Sequence, residues 1–209
     1  SVVDYGDATI LPGLVDAHVH LQFTAGPDHE TTRTTHIRAS DAERTATAIA
    51  NAQASLATGV TSLRDTGGYL TLNMQVRDAI SSGAVVGPRL LVCGAPITTT
   101  AGHLHWCGLR ADSEAEILKA VRGMVEAGAD FIKVMATGGM MTPGSSPGMA
   151  PYSGVELHAL VDDAHRLHKP VAAHVLGAVG CRLAIDAGVD TLEHCYWLSG
   201  DGLHDRRVM

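Results

Sequence analysis

The sequence predicts an α/β fold with a parallel β-sheet, and two patterns carry this prediction. Short apolar segments alternate with helical segments of about 10–15 residues, which is typical of repeated β-α-β units. In three segments a helix ends, a glycine follows and a strand begins: LATGVTSLRD, VEAGADFIKV and AIDAGVDTLEH. The chain has 23 glycines and only 18% charged residues, which indicates a tightly packed interior and excludes a disordered chain.

Six strands are predicted from the apolar segments. They cover residues 11–21, 60–64, 88–93, 130–136, 170–174 and 189–194. Five helices are predicted between them, at residues 41–58, 71–82, 113–127, 155–168 and 179–187. Glycines that stop a helix follow four of the five, namely Gly59, Gly83, Gly128 and Gly188. Asp112 or Ser113 is the expected cap of the helix at 113–127, which carries glutamates in its first turn.

Two architectures fit this order of elements. A (β/α)₈ barrel needs eight strands and typically about 250 residues, so a chain of 209 residues would hold about six β-α units. The alternative is a doubly wound open sheet. No G-x-G-x-x-G motif follows any predicted strand, which argues against the dinucleotide-binding form of that alternative.

Charge and hydropathy exclude several classes of partner. The net charge is −7 and no basic run is present, so we expect no nucleic-acid binding. No stretch of 18 apolar residues predicts a membrane span, and the first residues carry no signal-peptide pattern. The four cysteines are scattered without a C-x-x-C pair, which is typical of buried thiols in a reducing compartment. We therefore expect a cytoplasmic protein.

Four of the 12 histidines lie at or near the ends of predicted strands. His18 and His20 in DAHVH are two residues apart, so on a strand both imidazoles point to the same face. His174 ends PVAAH and His194 ends DTLEH. Imidazole is the commonest metal ligand, and the carboxyl ends of barrel strands form the active-site face. The four histidines therefore predict a metal site, the alternative being ordinary core and surface histidines.

Lys133 lies in the apolar strand DFIKVMATGG, on one face with Phe131 and Met135. A buried lone amine tends to lose its proton and becomes a nucleophile. It could form a Schiff base with a carbonyl substrate or a carbamate with carbon dioxide, and a lysine reaching out to the barrel mouth is the structural alternative. A carbamate can bridge two cations, so the histidines favour that chemistry.

Several of these motifs together resemble the amidohydrolase superfamily, and within it the prolidase-like branch close to imidazolonepropionase-related proteins and Xaa-Pro or Xaa-Arg dipeptidases. The motifs are ILPGLVDAHVHL, DFIKVMATGG, AAHVLG and GVDTLEHCYW. The resemblance implies a (β/α)₈ TIM barrel beside a small β-sandwich. It also implies two divalent metal ions, most often Zn²⁺, joined by a carboxylated lysine and a hydroxide.

By this resemblance His18 and His20 would hold the buried metal, Lys133 would bridge both metals, and His174 and His194 would hold the exposed one. The segment TTTAGHLHWCG is similar to a family segment TGGHG, which suggests that His103 contacts the substrate. The family places a Tyr-Ser pair near the substrate at Tyr152. We take Lys133, His103 and Tyr152 as the candidate catalytic residues, with a loop histidine and a helix-entry tyrosine as the structural alternatives for the last two.

The resemblance also predicts that the barrel is incomplete. Residues 1–12 resemble the last piece of an N-terminal β-sandwich, and residues 13–209 would supply barrel strands one to six. The family's metal-site aspartate follows the eighth strand, so the present residues would lack it. We therefore expect an internal fragment of a longer protein.

The expected function is hydrolysis of an amide or peptide bond, in a dipeptide or an N-acyl amino acid, by attack of a metal-bridging hydroxide. The alternatives are hydrolysis of a cyclic amide, a lactone or an organophosphate, a Schiff-base lyase, and an inactive truncated fragment. Carbon dioxide would be needed to carboxylate the lysine. The expected partners are a small-molecule or dipeptide substrate and further copies of the same chain.

Overall fold

The computed structural model describes residues 2–199, and parallel strands alternate with helices along them. The strands are β1 Leu14–Val19, β2 Val60–Asp65, β3 Arg89–Val92, β4 Ile97–Thr98, β5 Leu109–Arg110, β6 Ile132–Met135, β7 Val171–Gly177 and β8 Thr191–Leu198. The helices are α1 His29–Arg38, α2 Asp41–Ala57, α3 Leu72–Ser81, α4 Glu114–Glu126, α5 Gly154–Arg166 and α6 Ala178–Asp186. The six predicted strands correspond to β1, β2, β3, β6, β7 and β8, and the five predicted helices to α2–α6.

Three elements were not predicted, namely α1, β4 and β5. The α1 sequence HETTRTTHIR is rich in threonine and has no apolar stripe, so no helical period shows in it. It begins because the Asp28 carboxylate accepts a hydrogen bond from the Thr31 amide, at 2.7 Å. Strands β4 and β5 have two residues each, which is too short for an alternating pattern.

All the strand pairs are parallel, and within each sheet the strands lie in chain order except that β4 lies between β5 and β6. One sheet has the order β1-β2-β3 and the other has β5-β4-β6-β7-β8. The two are joined where the Asp130 amide donates to the Val92 carbonyl at 2.8 Å and the Val92 amide donates to the Asp130 carboxylate at 2.9 Å. Among the described strands only the two-residue β5 departs from chain order, so no switch point occurs among them and the doubly wound alternative is wrong.

The array is an incomplete barrel of the (β/α) type. Within the described residues, β1 pairs only with β2, and β8 pairs only with β7. Residues 2–13 form no strand, so their interpretation as part of a β-sandwich stays a prediction. Residues 200–209, the last of the predicted barrel segment, lie outside the described part. No helix in that part is both long and apolar enough to cross a bilayer.

The side chains of β6 divide between two faces, as its alternation predicts. Ile132, Val134 and the following Ala136 join the main hydrophobic core, which packs under the helices. Lys133 and Met135 point to the other face and line a cavity inside the array. The lysine is thus fixed on the inner face by the burial of its neighbours on the outer face.

Asp65, at the end of β2, is fully buried and joins three parts of the fold. Its carboxylate accepts hydrogen bonds from the amides of Leu21 at 3.2 Å and Gly67 at 2.9 Å, and from the side chain of Asn73 on α3 at 3.3 Å. These bonds hold the segment after β1 against the turn between β2 and α3.

We expect Asp65→Ala to lower the free energy of unfolding by about 2–4 kcal/mol, because it leaves several buried donors without an acceptor. Urea denaturation of the intact protein measures the change. The control is Asp78→Ala, which removes an exposed carboxylate from an ion pair with Arg77 and should cost less than about 1 kcal/mol. If both variants lowered the free energy of unfolding equally, Asp65 would have no greater structural role than an exposed carboxylate.

Candidate active site

A cavity of about 320 Å³ opens near the carboxyl ends of the strands. Its volume is in the range of small-molecule sites. Strands β1, β6, β7 and β8 and the loop after β4 each contribute to its wall. Its polar lining includes His18, His20, His103, Lys133, His174 and His194. The structure thus brings five predicted metal ligands and one of the other candidate residues to one place.

His18 and His20 are each held through the Nδ1 atom. His18 Nδ1 lies 2.6 Å from the Glu193 carboxylate, and His20 Nδ1 lies 2.7 Å from the Gly67 carbonyl oxygen. Both partners are acceptors, so each Nδ1 carries the proton and donates it. In the neutral ring the lone pair is then on Nε2. Burial lowers the pKa of His20 to about 3, so this ring is neutral at physiological pH.

The other three imidazoles form a chain of ring contacts across the cavity. The ring centres of His103 and His174 are 4.5 Å apart, and those of His174 and His194 are 4.8 Å apart. Burial lowers the pKa of His103 and of His194 to about 4, and holds that of His174 well below its usual value. These rings are therefore neutral at pH 7 and keep a lone pair for a cation.

Lys133 is 1% exposed, and its Nζ has no hydrogen-bond partner within residues 2–199. Burial lowers the pKa of this amine to about 8, although the negative charge of Glu193 opposes the shift. An uncharged fraction of the amine is therefore present near neutral pH. A buried amine without a partner is costly, which indicates that it has a chemical use.

These residues fit divalent metal ions by the chemistry of their donor atoms. Four imidazoles and an unpaired amine suit zinc-type ions, and a carboxylated lysine would add oxygen ligands. Within residues 2–199, however, no three His, Cys, Asp or Glu side chains are already gathered in a cluster that could hold an ion. The side chains would have to close around a metal.

The structure does not bring Tyr152 to the cavity. The side chain is 1% exposed within the main core, and its hydroxyl donates to the Ala111 carbonyl oxygen at 3.0 Å. The reason is local, since Ser153 and Glu156 form a capping box that begins α5 directly after the tyrosine. Tyr152 is therefore placed as a buried residue at the entry to α5, which is the structural alternative given for it above.

Glu193 and Arg64 lie beside the cavity, where Glu193 contacts His18 and Arg64 contacts Glu193, and neither was predicted. Glu193 precedes His194, so on a regular strand the two side chains would point to opposite faces. The backbone breaks this rule, because His194 and Cys195 have φ angles of 67° and 51°. Both Glu193 and His194 consequently contact His18. The only signal in the sequence was an acidic residue within an otherwise apolar strand.

The fold and the cavity define a parallel-barrel protein with a histidine-rich site near its strand ends. Residues 9–209 match the sequence model of the amidohydrolase family, and the chain belongs to that family. It is 33% identical over 210 residues to the ochratoxinase of Aspergillus niger, covering 88% of this chain and 43% of the relative.

Solved structures show the same fold. The crystal structure of the Aspergillus niger ochratoxinase aligns with a TM-score of 0.78 at 32% identity, covering 88% of this chain and 47% of the other. A Xaa-Pro dipeptidase with bound methionine aligns with a TM-score of 0.78 at 30% identity, over 88% and 48% of the two chains. The chain therefore spans about half the length of the relatives it matches.

The low histidine pKa values predict that acid destabilises the metal-free protein. Unfolded histidine binds a proton near pH 6.5, whereas His36, buried between Phe23 and Trp106, has its pKa lowered by burial to about 4. The unfolded state binds more protons between these values, so stability falls as the pH drops from about 6.5 to about 4.

His36→Phe should remove part of this loss, about 2 kcal/mol at pH 5, because phenylalanine has no proton to bind. Urea denaturation of the chelator-treated protein at pH 7 and pH 5 measures it. The control, replacement of the exposed His158 by Gln, should leave the pH dependence as it is. If His36→Phe lost as much stability between pH 7 and pH 5 as the wild type does, the expectation would be contradicted.

Proposed function

We propose that this protein hydrolyses an amide or peptide bond in a dipeptide or an N-acyl amino acid, with two divalent metal ions at the cavity. The observation that carries the proposal is the set of four imidazoles around the unpaired Lys133 amine. The names of the relatives support the reaction class, since they include a Xaa-Pro dipeptidase and a prolidase complexed with N-methylphosphonate-L-proline. Zn²⁺ is the metal that the imidazole-rich donor set favours.

In this proposal His18 and His20 bind one metal, and His174 and His194 bind the other. The metals, when bound, would activate water and polarise the scissile carbonyl. The chain's own part is to present neutral nitrogen atoms at fixed positions. His20 is fixed through the Gly67 carbonyl, and His174 Nε2 lies 3.1 Å from the Gly138 carbonyl oxygen, which leaves its Nδ1 available.

Lys133 would join the two metal sites after reaction with carbon dioxide. The lone pair of the neutral amine forms a bond to the carbon of CO₂, one C–O π pair moves to oxygen, and the nitrogen releases a proton to solvent. The product is a carboxylate with two oxygens, which can contact two cations. The lowered pKa of the amine supports this step because only the unprotonated form reacts.

His103 would orient the substrate. Its Nδ1 is buried without a hydrogen-bond partner within the described residues, and its ring stacks on His174. A neutral imidazole can donate one hydrogen bond to a substrate carbonyl oxygen at this position. Leu104, Met135 and Leu176 line the same cavity and offer an apolar wall for the rest of the substrate.

The proposal is tested by assaying the intact protein on a set of dipeptides and N-acyl amino acids, before and after chelation. We expect hydrolysis that is lost on chelation and restored by Zn²⁺, with higher metal content in protein expressed with bicarbonate. Full activity of the chelated protein would overturn the metal-dependent reaction.

One observation favours a second function, because a buried amine with a lowered pKa is also suited to a Schiff base with a carbonyl substrate. Borohydride treatment in the presence of such a substrate separates the two. A covalent adduct on Lys133 would support the lyase, and its absence together with bound metal supports the hydrolase.

We expect Lys133→Ala to lower the metal content by about half and to reduce turnover at least about 100-fold, since the bridging carboxylate is lost. Short carboxylates such as acetate should partly restore activity by filling the space. Elemental analysis and steady-state assays of the intact protein measure both effects.

The matched control is Lys119→Ala, which removes an exposed lysine of α4. It should leave metal content and activity unchanged. If Lys133→Ala kept wild-type activity with a single bound metal, the lysine would have no bridging role.

A further inference from the structure

A partly buried network of four side chains joins β8 to β1 and β2 beside the cavity. Glu193 is 6% exposed, with one carboxylate oxygen 2.6 Å from His18 Nδ1 and the other accepting from Arg64 Nη2 at 2.5 Å. Thr191 Oγ1 donates to the same carboxylate at 3.1 Å. Each oxygen of Glu193 therefore has a defined partner.

Arg64 holds the network in position from β2. Its Nε donates to the Ala17 carbonyl oxygen of β1 at 2.7 Å, and its Nη1 donates to Thr191 of β8 at 3.2 Å. β1 and β8 make no backbone hydrogen bonds with each other in the described part of the chain. The arginine thus bridges two strand edges that have no backbone pairing with each other, and its Nη2 donates to the Glu193 carboxylate.

The geometry of the contacts shows how the Glu193 carboxylate is used. One oxygen accepts from the Arg64 guanidinium, which has no acceptor atom. The other oxygen lies 2.6 Å from His18 Nδ1. A carboxylate held by a guanidinium serves as an acceptor on its second oxygen as well, so His18 Nδ1 donates to it and Nε2 of the ring is left outside this contact.

We propose that Glu193, held by Arg64, is a positioning residue that fixes the tautomer and orientation of His18 so that Nε2 can bind a metal ion. The inference rests on the metal centre of the proposed function. Carboxylates that accept from a ligating histidine typically contribute about 10–100-fold to metal affinity. Neither residue contacts the substrate in this proposal.

The experiment compares Glu193→Gln with the wild type in two measurements on the intact, chelator-treated protein. ¹⁵N NMR of labelled histidine reports the tautomer of His18 without any metal, and competition with a chromophoric chelator gives the Zn²⁺ affinity. Glutamine has the same shape, but it is uncharged and can donate as well as accept. We expect a loss of the single Nδ1–H tautomer and Zn²⁺ affinity weaker by about 10–100-fold.

Glu193→Asp is the second variant, for the case that Glu193→Gln does not fold. It keeps the charge, but its shorter side chain cannot reach His18 and Arg64 together, so an intermediate loss of affinity is expected. The matched control is Asp163→Asn, which removes a carboxylate that is 1% exposed and paired with Arg122 at 2.9 Å, outside the cavity. It should change stability and leave Zn²⁺ affinity within about two-fold of the wild type.

Unchanged tautomer and unchanged Zn²⁺ affinity in folded Glu193 variants would overturn the inference, as would an equal loss of affinity in Asp163→Asn. A wild-type protein that does not bind Zn²⁺ would overturn the metal centre of the proposed function instead. The tautomer measurement needs no metal, so it would still decide whether Glu193 positions His18.

Discussion

Parallel hydrogen bonding between strands that follow one another in the chain is the constraint on which the rest of this structure depends. It places every strand's carboxyl end at the same edge, so residues as distant in sequence as His18 and His194 come to one cavity. The helices support this arrangement, because the main core under them buries Ile132 and Val134 of β6 and leaves Lys133 on the inner face. A residue type that is costly in a core, such as Lys133, is tolerated only because this inner face forms a cavity.

Burial reduces the positive charge that the cavity carries. It keeps the imidazoles of His20 and His194 in the neutral form, and it makes the Lys133 amine easier to deprotonate than a lysine in water. Glu193 adds a fixed negative charge at one side. Desolvation, which usually opposes a polar site, thus acts here in favour of binding a cation, because it disfavours the protonated forms of these nitrogen atoms.

Much of the fold followed from the sequence because glycine stops and apolar runs are local signals. The six main strands and five of the helices were predicted in this way. The position of His18 and His20 on one strand was equally local, since it depends only on a two-residue period. The structure places their ring centres 5.3 Å apart.

The parts that were missed depend on contacts that no local pattern shows. Strands β7 and β8 continue past His174 and His194 to Gly177 and Leu198, so these histidines lie within their strands instead of ending them. The contribution of Glu193 follows from left-handed backbone at the next two residues, where a regular strand was assumed. Tyr152 was predicted near the substrate because of the family resemblance. In the structure the capping box that follows it begins α5, and the ring packs in the core.

The turn between β2 and α3 carries a consequence for how this sequence can diverge. The Gly67 carbonyl holds His20, while its amide is held by Asp65. The residue has a φ angle of +130°, and a Cβ placed there would lie 2.9 Å from Cδ of Pro96. A side chain at this position would strain the turn and push the carbonyl away from the imidazole. A substitution at position 67 would therefore disturb the site, although glycine has no side chain of its own.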